Sequence, residues 1–505
     1  MLPLLPRNAA PALHGLAGLP APREAAGYDL LLQLLPPDTA PDPRLPDAPR
    51  WVALQQREAT RHGDVRTTVL QGETACVAGL GWCRSDASTY EVLATAGKLV
   101  KAALSLLPRP RRIGLHVPQG TPSRRALWQE ALHAAVAAQL FELPSAKTGK
   151  SAAALGTATR VDVFAAAPGL DLKRCTITAE AGNLVRHLVS LPPNVLDAAA
   201  YRKLLTELAR QHGLSLKWHS EASLQQAGAG AFLAVSRANA SRTAGIAQLG
   251  YRPSKGSRRK APDVALVGKG ILFDTGGINL KPHRSMLDMH TDMAGSAVAL
   301  ASLVALARLG APLAAEAWLA ITENNIGPTA YRPQEIVRAS NGTTIQVIHS
   351  DAEGRMVLAD TLALASRRKP GLIVDYATLT GACVHALTER MSGVFSNRTA
   401  LLPALHLAGT DSGERVWAFP LDEDYDSDLD SQVADIAQCA VEGKGDHILA
   451  ARFLGRFVPA DTAWVHMDLS SATRRGGLAH VTTEATGFGV RFTLALLLDQ
   501  ELPQA

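Results

Sequence analysis

Short apolar runs alternate with longer helical ones along most of this chain, and that alternation limits its fold more than any single motif does. Between residues 64 and 170 the runs VRTTVL, IGLHV and VDVFAAA are interleaved with the helical stretches TYEVLATAGKLVKAALSLL and RALWQEALHAAVAAQLFEL. The pattern resumes further on, with strand-like runs at 264–267, 317–321, 343–348 and 372–374 separated by helical ones at 294–309 and 356–368. Strands that alternate with helices build a parallel or mixed sheet covered by helices, so the fold class is α/β.

At 505 residues the chain exceeds one ordinary core, since domains run to about 150 residues. A helical stretch, TITAEAGNLVRHLVSL, ends at Pro192-Pro193 and marks the boundary. The expected organisation is an N-terminal α/β domain over 1–175 and a larger C-terminal α/β domain over 176–505, which opens with a linker helix and holds a mixed sheet flanked by helices. The first 50 residues are rich in proline, with YDLLLQLL at 28–35 as their one buried strand.

Hydrophobic residues at 47% and charged residues at 19% place the chain among globular proteins. The net charge of +5 is spread out, and the two basic runs, 109–112 and 255–260, lie among Pro, Gly and Ser and are expected to be surface loops. Cys76, Cys83, Cys175, Cys383 and Cys439 form no CxxC pair and are odd in number, which argues against a disulfide framework and for a reducing, cytoplasmic setting. MLPLLPRNAAPALHGLAGLPAP is broken by prolines and has no charged start, so neither a secretory signal nor a membrane span is expected. PSAKTGKS, at 144–151, puts Pro144 where a phosphate-binding loop needs its first glycine and is expected to be a linker.

The chemistry concentrates in two segments. HSDAEGRMVLAD, at 349–360, sets Asp351, Glu353 and Arg355 on alternate positions, and in an extended backbone those three share a face. With TTIQVI before them and Gly354 permitting a bend, the trio is expected at the carboxyl end of a strand, where open α/β sheets bind ligands. About 80 residues earlier, VGKGILFDTGGINLKPHRSMLDMHTDMAGSAVAL offers Lys269, Asp274, Lys281 and Asp292 among glycines that allow sharp turns and close approach. Acids ahead of helices also serve as caps, and Asp292 alone would need no other explanation. Four converging carboxylates are different, because they cannot all stay ionised without cations. Two divalent metals would balance them, and such a pair, about 3.5–4 Å apart, can share a bridging water whose pKa falls toward about 7.

These segments closely resemble the leucyl aminopeptidase family of two-metal exopeptidases, also called cytosol aminopeptidases. The resemblance rests on Gly268-Lys269-Gly270, FDTGG at 273–277, Lys281-Pro282, Asp292-Met293 and SDAEGRM at 350–356. It continues through LPPN, AYRP, ATLTGA and ATGFGVR and covers most of 176–500.

The resemblance implies that Asp274 and Glu353 bridge two Mn2+ or Zn2+ ions per subunit. Asp351 would complete one metal site, and Lys269 with Asp292 the other. A ligating lysine must be neutral, so the metals would have to depress the pKa of Lys269. Lys281 would polarise the scissile carbonyl, and Arg355 would hold a bicarbonate that relays a proton. Leu379 and Gly381 would bind the substrate backbone, and Met289, Thr378, Gly381, Ser470 and Thr473 would line the pocket for its first side chain. Ser470 and Thr473 are polar where the family commonly has apolar residues, so no leucine preference carries over. His349-Ser350 stands in place of the family's Asn-Thr; His349, like His283 and His290, is expected to pack or hydrogen-bond rather than ligate.

The family would further imply peptide substrates and a homohexamer with interior active sites. A DNA-binding regulatory or recombination role, alone or beside the peptidase, is the alternative, since some bacterial relatives have one and the charge permits it. A two-metal phosphoesterase is a weaker rival, because Lys281 and Arg355 are both present.

Overall fold

Leucines at every position but one make LLLQLL a strand with both faces covered, and all six of its residues are buried. The structure is a computed structural model and describes residues 2–7, 10–37, 39–56, 60–70, 76–148, 159–254 and 260–502. LLLQLL is β2 (Leu30–Leu35), and its sheet also holds β1 (Ala12–Gly15), β3 (Val65–Leu70), β4 (Cys76–Trp82), β5 (Arg112–His116) and β6 (Arg160–Phe164). The order is β1-β6-β5-β2-β4-β3, parallel throughout except for β3 against β4.

Leu30, Leu32 and Leu34 of β2 face the helices Thr89–Leu106 and Pro122–Gln139, while Leu31 and Leu35 pack with Trp51 and Trp82 on the other side. That alternation is the period of two of a strand. The first helix starts at a capping box, in which the Ser88 hydroxyl accepts the Glu91 N–H and the Glu91 side chain accepts the Ser88 N–H.

The C-terminal part contributes β7 (Ser215–Ser220), β8 (Gly245–Tyr251), β9 (Val264–Asp274), β10 (Ala315–Asn324), β11 (Ile336–Arg338), β12 (Thr344–Gln346), β13 (Leu372–Ala377), β14 (Ser392–Ser396), β15 (Val416–Ala418), β16 (Ile436–Ala437) and β17 (Ala463–Asp468). Eight of these form one mixed sheet, β15-β14-β17-β13-β9-β10-β8-β7, with β17, β13, β9 and β10 mutually parallel at its centre. β11, β12 and β16 make a small separate sheet.

Along β9, Val264 and Leu266 join the core with helices Leu172–Val189 and Ala294–Leu309, and Ala265 and Val267 join the core with helix Glu353–Ser366. The carboxyl end of β9 therefore emerges between two helix layers, which is where Asp274 stands. The most apolar helical stretch lies within His283–Leu309, and 83% of its apolar window is buried in the fold.

Several sequence expectations change. The run at 343–348 yields only the three-residue β12, in the side sheet rather than the main one. Helix Glu353–Ser366 starts before Met356, and helix Leu172–Val189 starts before Thr176. Arg112 opens β5 and lies over the Tyr28 ring at 4.3 Å, so the basic run 109–112 is only partly loop. All five cysteines are buried and unbridged. Residues 255–259, and residues 149–151 of PSAKTGKS, lie outside the described residues.

Candidate metal centre

Three loops at the carboxyl ends of β9 and β13 and ahead of helix Glu353–Ser366 bring the predicted residues together. Lys269 lies on β9 and Asp274 ends it; Asp292 closes the short turn Met289–Thr291 just before helix Ala294–Leu309. Asp274, Asp351 and Glu353 each offer a carboxylate oxygen within 4.8 Å of the other two.

Two lysines thread this set. Lys269 Nζ is 2.8 Å from Asp292 Oδ1 and 3.0 Å from Glu353 Oε1, and it donates to the Thr378 carbonyl at 2.9 Å. Lys281 Nζ is 2.8 Å from Asp274 Oδ2 and 2.5 Å from Asp351 Oδ1. Asp292 thus joins the group through Lys269 rather than by direct approach to the other three acids.

Four carboxylates against two ammonium groups leave a formal charge of −2 in a nearly closed space. Burial, with Asp274 and Asp292 adding to it against the pull of Lys269, pushes Glu353 up to about 8. Burial likewise raises Asp292 to about 6, against Lys269, and raises Asp351 with Asp274 adding. For Lys269, burial pulls downward, but Asp292, Glu353 and Asp274 outweigh it and hold the ammonium above its ordinary range. Lys281 behaves in the same way, with Asp274 and Glu353 as the main charges. Acids that hold protons beside lysines that keep theirs are the mark of a site short of positive charge. Asp292 Oδ2 is buried with no hydrogen-bond donor, which leaves acceptor capacity for cations. The residues fit two divalent ions in charge and in donor type, because carboxylates and a neutral amine suit manganese or zinc.

The extended reading of Asp351, Glu353 and Arg355 is not what brings the acids together. Asp351 sits in a turn, and Glu353 and Arg355 lie in the first turn of the helix. The two acids converge because the turn folds Asp351 back while Glu353 points from the helix start. Gly354 does not make a bend either: it is helical, and a Cβ there would stand 2.6 Å from Lys269 Cε and 2.9 Å from Leu379 Cδ1. Glycine is needed because the lysine passes so close.

Arg355 departs furthest from expectation. Its guanidinium is 2% exposed, donates from Nη2 to both Asp446 oxygens at 2.8 and 2.9 Å, and donates from Nη1 to the Gln438 carbonyl. The anion it faces is a carboxylate of this chain.

The residues marked for substrate lie on the neighbouring turns. The Thr378 hydroxyl donates to Asp292 Oδ1 at 2.7 Å. Leu379 N–H donates to Asp468 Oδ1, and Gly381 opens helix Gly381–Leu387, capped by Thr380, whose hydroxyl also donates to Asp468. Met289 is half-buried in the turn that ends at Asp292. Ser470 is buried with its hydroxyl given to the Met391 carbonyl, so that donor is already used. His349 is exposed and accepts the Asp351 N–H through Nδ1, while His283 and His290 stand outside the carboxylate cluster.

Sequence reasoning missed the residues that hold this site in place. Asn324, at the end of β10, donates to Asp274 Oδ1 at 2.8 Å, to the Ser350 carbonyl at 3.0 Å and to Glu353 Oε2 at 3.4 Å. Ser350 ties the two acidic loops by donating to the Gly276 carbonyl and accepting the Asn279 N–H. Gln438 accepts the Ile348 and His349 N–H groups and donates to the Ala352 carbonyl. Asn324 had one usable signal, its place at the end of a central strand; Gln438 had none.

Residues 183–494 match the catalytic domain of the cytosol aminopeptidase family. A probable cytosol aminopeptidase from Streptomyces coelicolor is 39% identical over 342 residues, covering 67% of this chain and 64% of that protein. The match thus spans a little under two thirds of such a relative's length. Among solved structures, the bottromycin maturation enzyme BotP in complex with Mn is 30% identical, with a TM-score of 0.79 over 93% of this chain and 98% of that one. Leucyl aminopeptidase from Trypanosoma brucei in complex with actinonin is 25% identical, with a TM-score of 0.85 over 98% of this chain and 97% of that one.

Proposed function

The chain belongs to the cytosol aminopeptidase family, and from that premise we propose that it is a two-metal exopeptidase that removes the N-terminal residue from peptides. One observation carries the reading: Asp274, Asp351 and Glu353 converge within 4.8 Å, with Asp292 and two lysines against them, in a pocket whose charge calls for cations. Asp274 and Glu353 would hold both ions, Asp351 one of them, and Lys269 with Asp292 the other. Bound there, divalent ions lower the pKa of water and stabilise negative charge on a carbonyl oxygen.

The chain's own groups do the rest. Lys281 is 14% exposed and is paired with Asp274 and Asp351; with ions on those carboxylates its ammonium would be free to stabilise the charge that develops on the scissile carbonyl. Beside the ion it would hold, Asp292 would also meet the substrate's α-amine, which would give a physical reason for action at the N-terminus alone. The turn at Thr378–Gly381, fixed by Asp468, would align the peptide backbone, and Met289, Ser470 and Thr473 would border the first side chain. Because the Ser470 hydroxyl is spent on Met391, it would shape that pocket rather than bond the substrate.

The working form we propose is a cytoplasmic homohexamer with Mn2+ or Zn2+ and peptide substrates, whose N-terminal domain ends near residue 175. The test is a panel of aminoacyl anilides and dipeptides, assayed after chelation and after refilling with manganese, zinc, cobalt or magnesium. Hydrolysis should vanish on chelation and return with the metal. Activity that survives chelation, or that persists in Asp351→Asn, defeats the proposal.

A further inference from the structure

A buried guanidinium needs a counter-charge, and for Arg355 the chain supplies one from 91 positions away. Arg355 is 2% exposed, and both Asp446 oxygens accept from its Nη2. Asp446 is 26% exposed, so this carboxylate reaches solvent while its partner does not. It is also the first residue of helix Asp446–Gly455, whose free N–H groups favour negative charge. Arg355 Nε is buried with no acceptor, so the guanidinium has donor capacity beyond what Asp446 uses. Gln438 fixes the arrangement, since its carbonyl takes Nη1 and its side chain holds the turn before Glu353.

Take the Asp446 carboxylate away and what remains is a buried cation with an unsatisfied Nε beside a carboxylate-sized space. An unpaired buried charge of that kind is costly, and a small planar anion would relieve it. We propose that Asp446 is the resident anion of Arg355: it fills a built pocket for a carboxylate-type anion beside Glu353, and it makes the site independent of bicarbonate or any other external anion. Asp446 acts here as a positioning residue, through Arg355 and the helix turn that carries Glu353. The inference rests on the proposed peptidase only for its kinetic arm, because the pocket binds anions whether or not the chain cleaves peptides.

The test titrates formate and bicarbonate into the full chain, the Asp446→Ala variant and the Asp446→Asn variant by calorimetry, with thermal unfolding alongside. The native chain should take up neither anion. Asp446→Ala should bind one formate per chain at millimolar concentration and unfold at a higher temperature when it is bound. Asp446→Asn, whose amide still fills the space, should bind none. In the kinetic arm, saturating formate or bicarbonate should return at least tenfold of the activity that Asp446→Ala loses and leave the native rate unchanged. Anion uptake by the native chain at the variant's affinity, or a native rate that rises with bicarbonate, overturns the proposal even if no variant folds. So does a folded Asp446→Ala chain that binds no anion. If the native chain hydrolyses no peptide at all, the proposed function fails and the calorimetric arm still decides this inference.

Discussion

Lys269 and Asp292 meet with 2.8 Å between Nζ and Oδ1, and both side chains are almost wholly buried. Asp292 and Glu353 outweigh burial and keep that lysine charged, yet a lysine can ligate a metal only as the free amine. If Lys269 ligates as proposed, metal uptake expels its proton, along with those that raised carboxylates such as Glu353 hold near neutral pH. Calorimetry of manganese binding in two buffers of unlike ionisation enthalpy should register net proton release, and affinity should fall as pH is lowered. Lys269→Met should release fewer protons and hold one ion in place of two. An unchanged proton count in that variant would exclude Lys269 as a ligand.

Asn324 clamps Asp274 and Glu353 from a single amide. Removing such a support commonly costs about 10–100-fold in metal affinity. Asn324→Ala should show that loss in a competition assay with a metal chelator, with its thermal transition in saturating metal close to that of the parent. Equal affinity in the two proteins would mean that the amide merely fills space.

Gly354→Ala sets a methyl carbon 2.6 Å from Lys269 Cε. Alanine is at home in a helix, so helix propensity favours the change by up to about 1 kcal/mol, while the lysine must move off Asp292 and Glu353. Activity should fall by about 100-fold, as expected when catalytic groups are displaced by about 1 Å, with little change in melting temperature. Full activity would refute the close-approach explanation for this glycine.

Lys281 is expected to work on the developing oxyanion more than on the ground state. Lys281→Met should lower kcat by about 100- to 1,000-fold, the usual cost of losing one such donor, and leave KM within a few-fold. A change confined to KM would reassign Lys281 to binding.

Acid should loosen the contact between the two sheets' helix layers. His133 is fully buried on helix Pro122–Gln139 with neither ring nitrogen bonded, and burial, aided by Arg491, lowers it to about 4. Above pH ~6.5 the imidazole is neutral in folded and unfolded chains alike, so it contributes no pH dependence. As pH falls from 6.5 toward 4 the unfolded chain gains a proton that the folded one refuses, and stability is lost, by about 3 kcal/mol at ~1.4 kcal/mol per unit. His480, half-buried nearby, shifts in the same direction. Urea unfolding at pH 7, 5.5 and 4.5 should show a shallower decline for His133→Leu than for the parent. Parallel declines would remove His133 as the cause.

Periodicity and motif order pointed to the α/β class, the central strands and the acids and lysines that meet in the fold, because those features are local. An apolar run such as VALVG is a buried strand wherever it lands, and FDTGG or DAEGR carries its chemistry within a few residues. The tertiary structure decided which groups face one another. Asp351 and Glu353 converge through a turn and a helix start, not through an extended face, because helix Glu353–Ser366 begins three residues before the apolar run that announced it. Gly354 is set by the passage of Lys269. Asn324, Gln438 and Asp446 reach the site only through strand register and helix placement, and Asp446 turns Arg355 from a cation awaiting an anion into one half of a pair. Contacts across 90 residues leave no local trace, since what creates them is the packing of the sheet and its helices rather than any preference of the segments that meet.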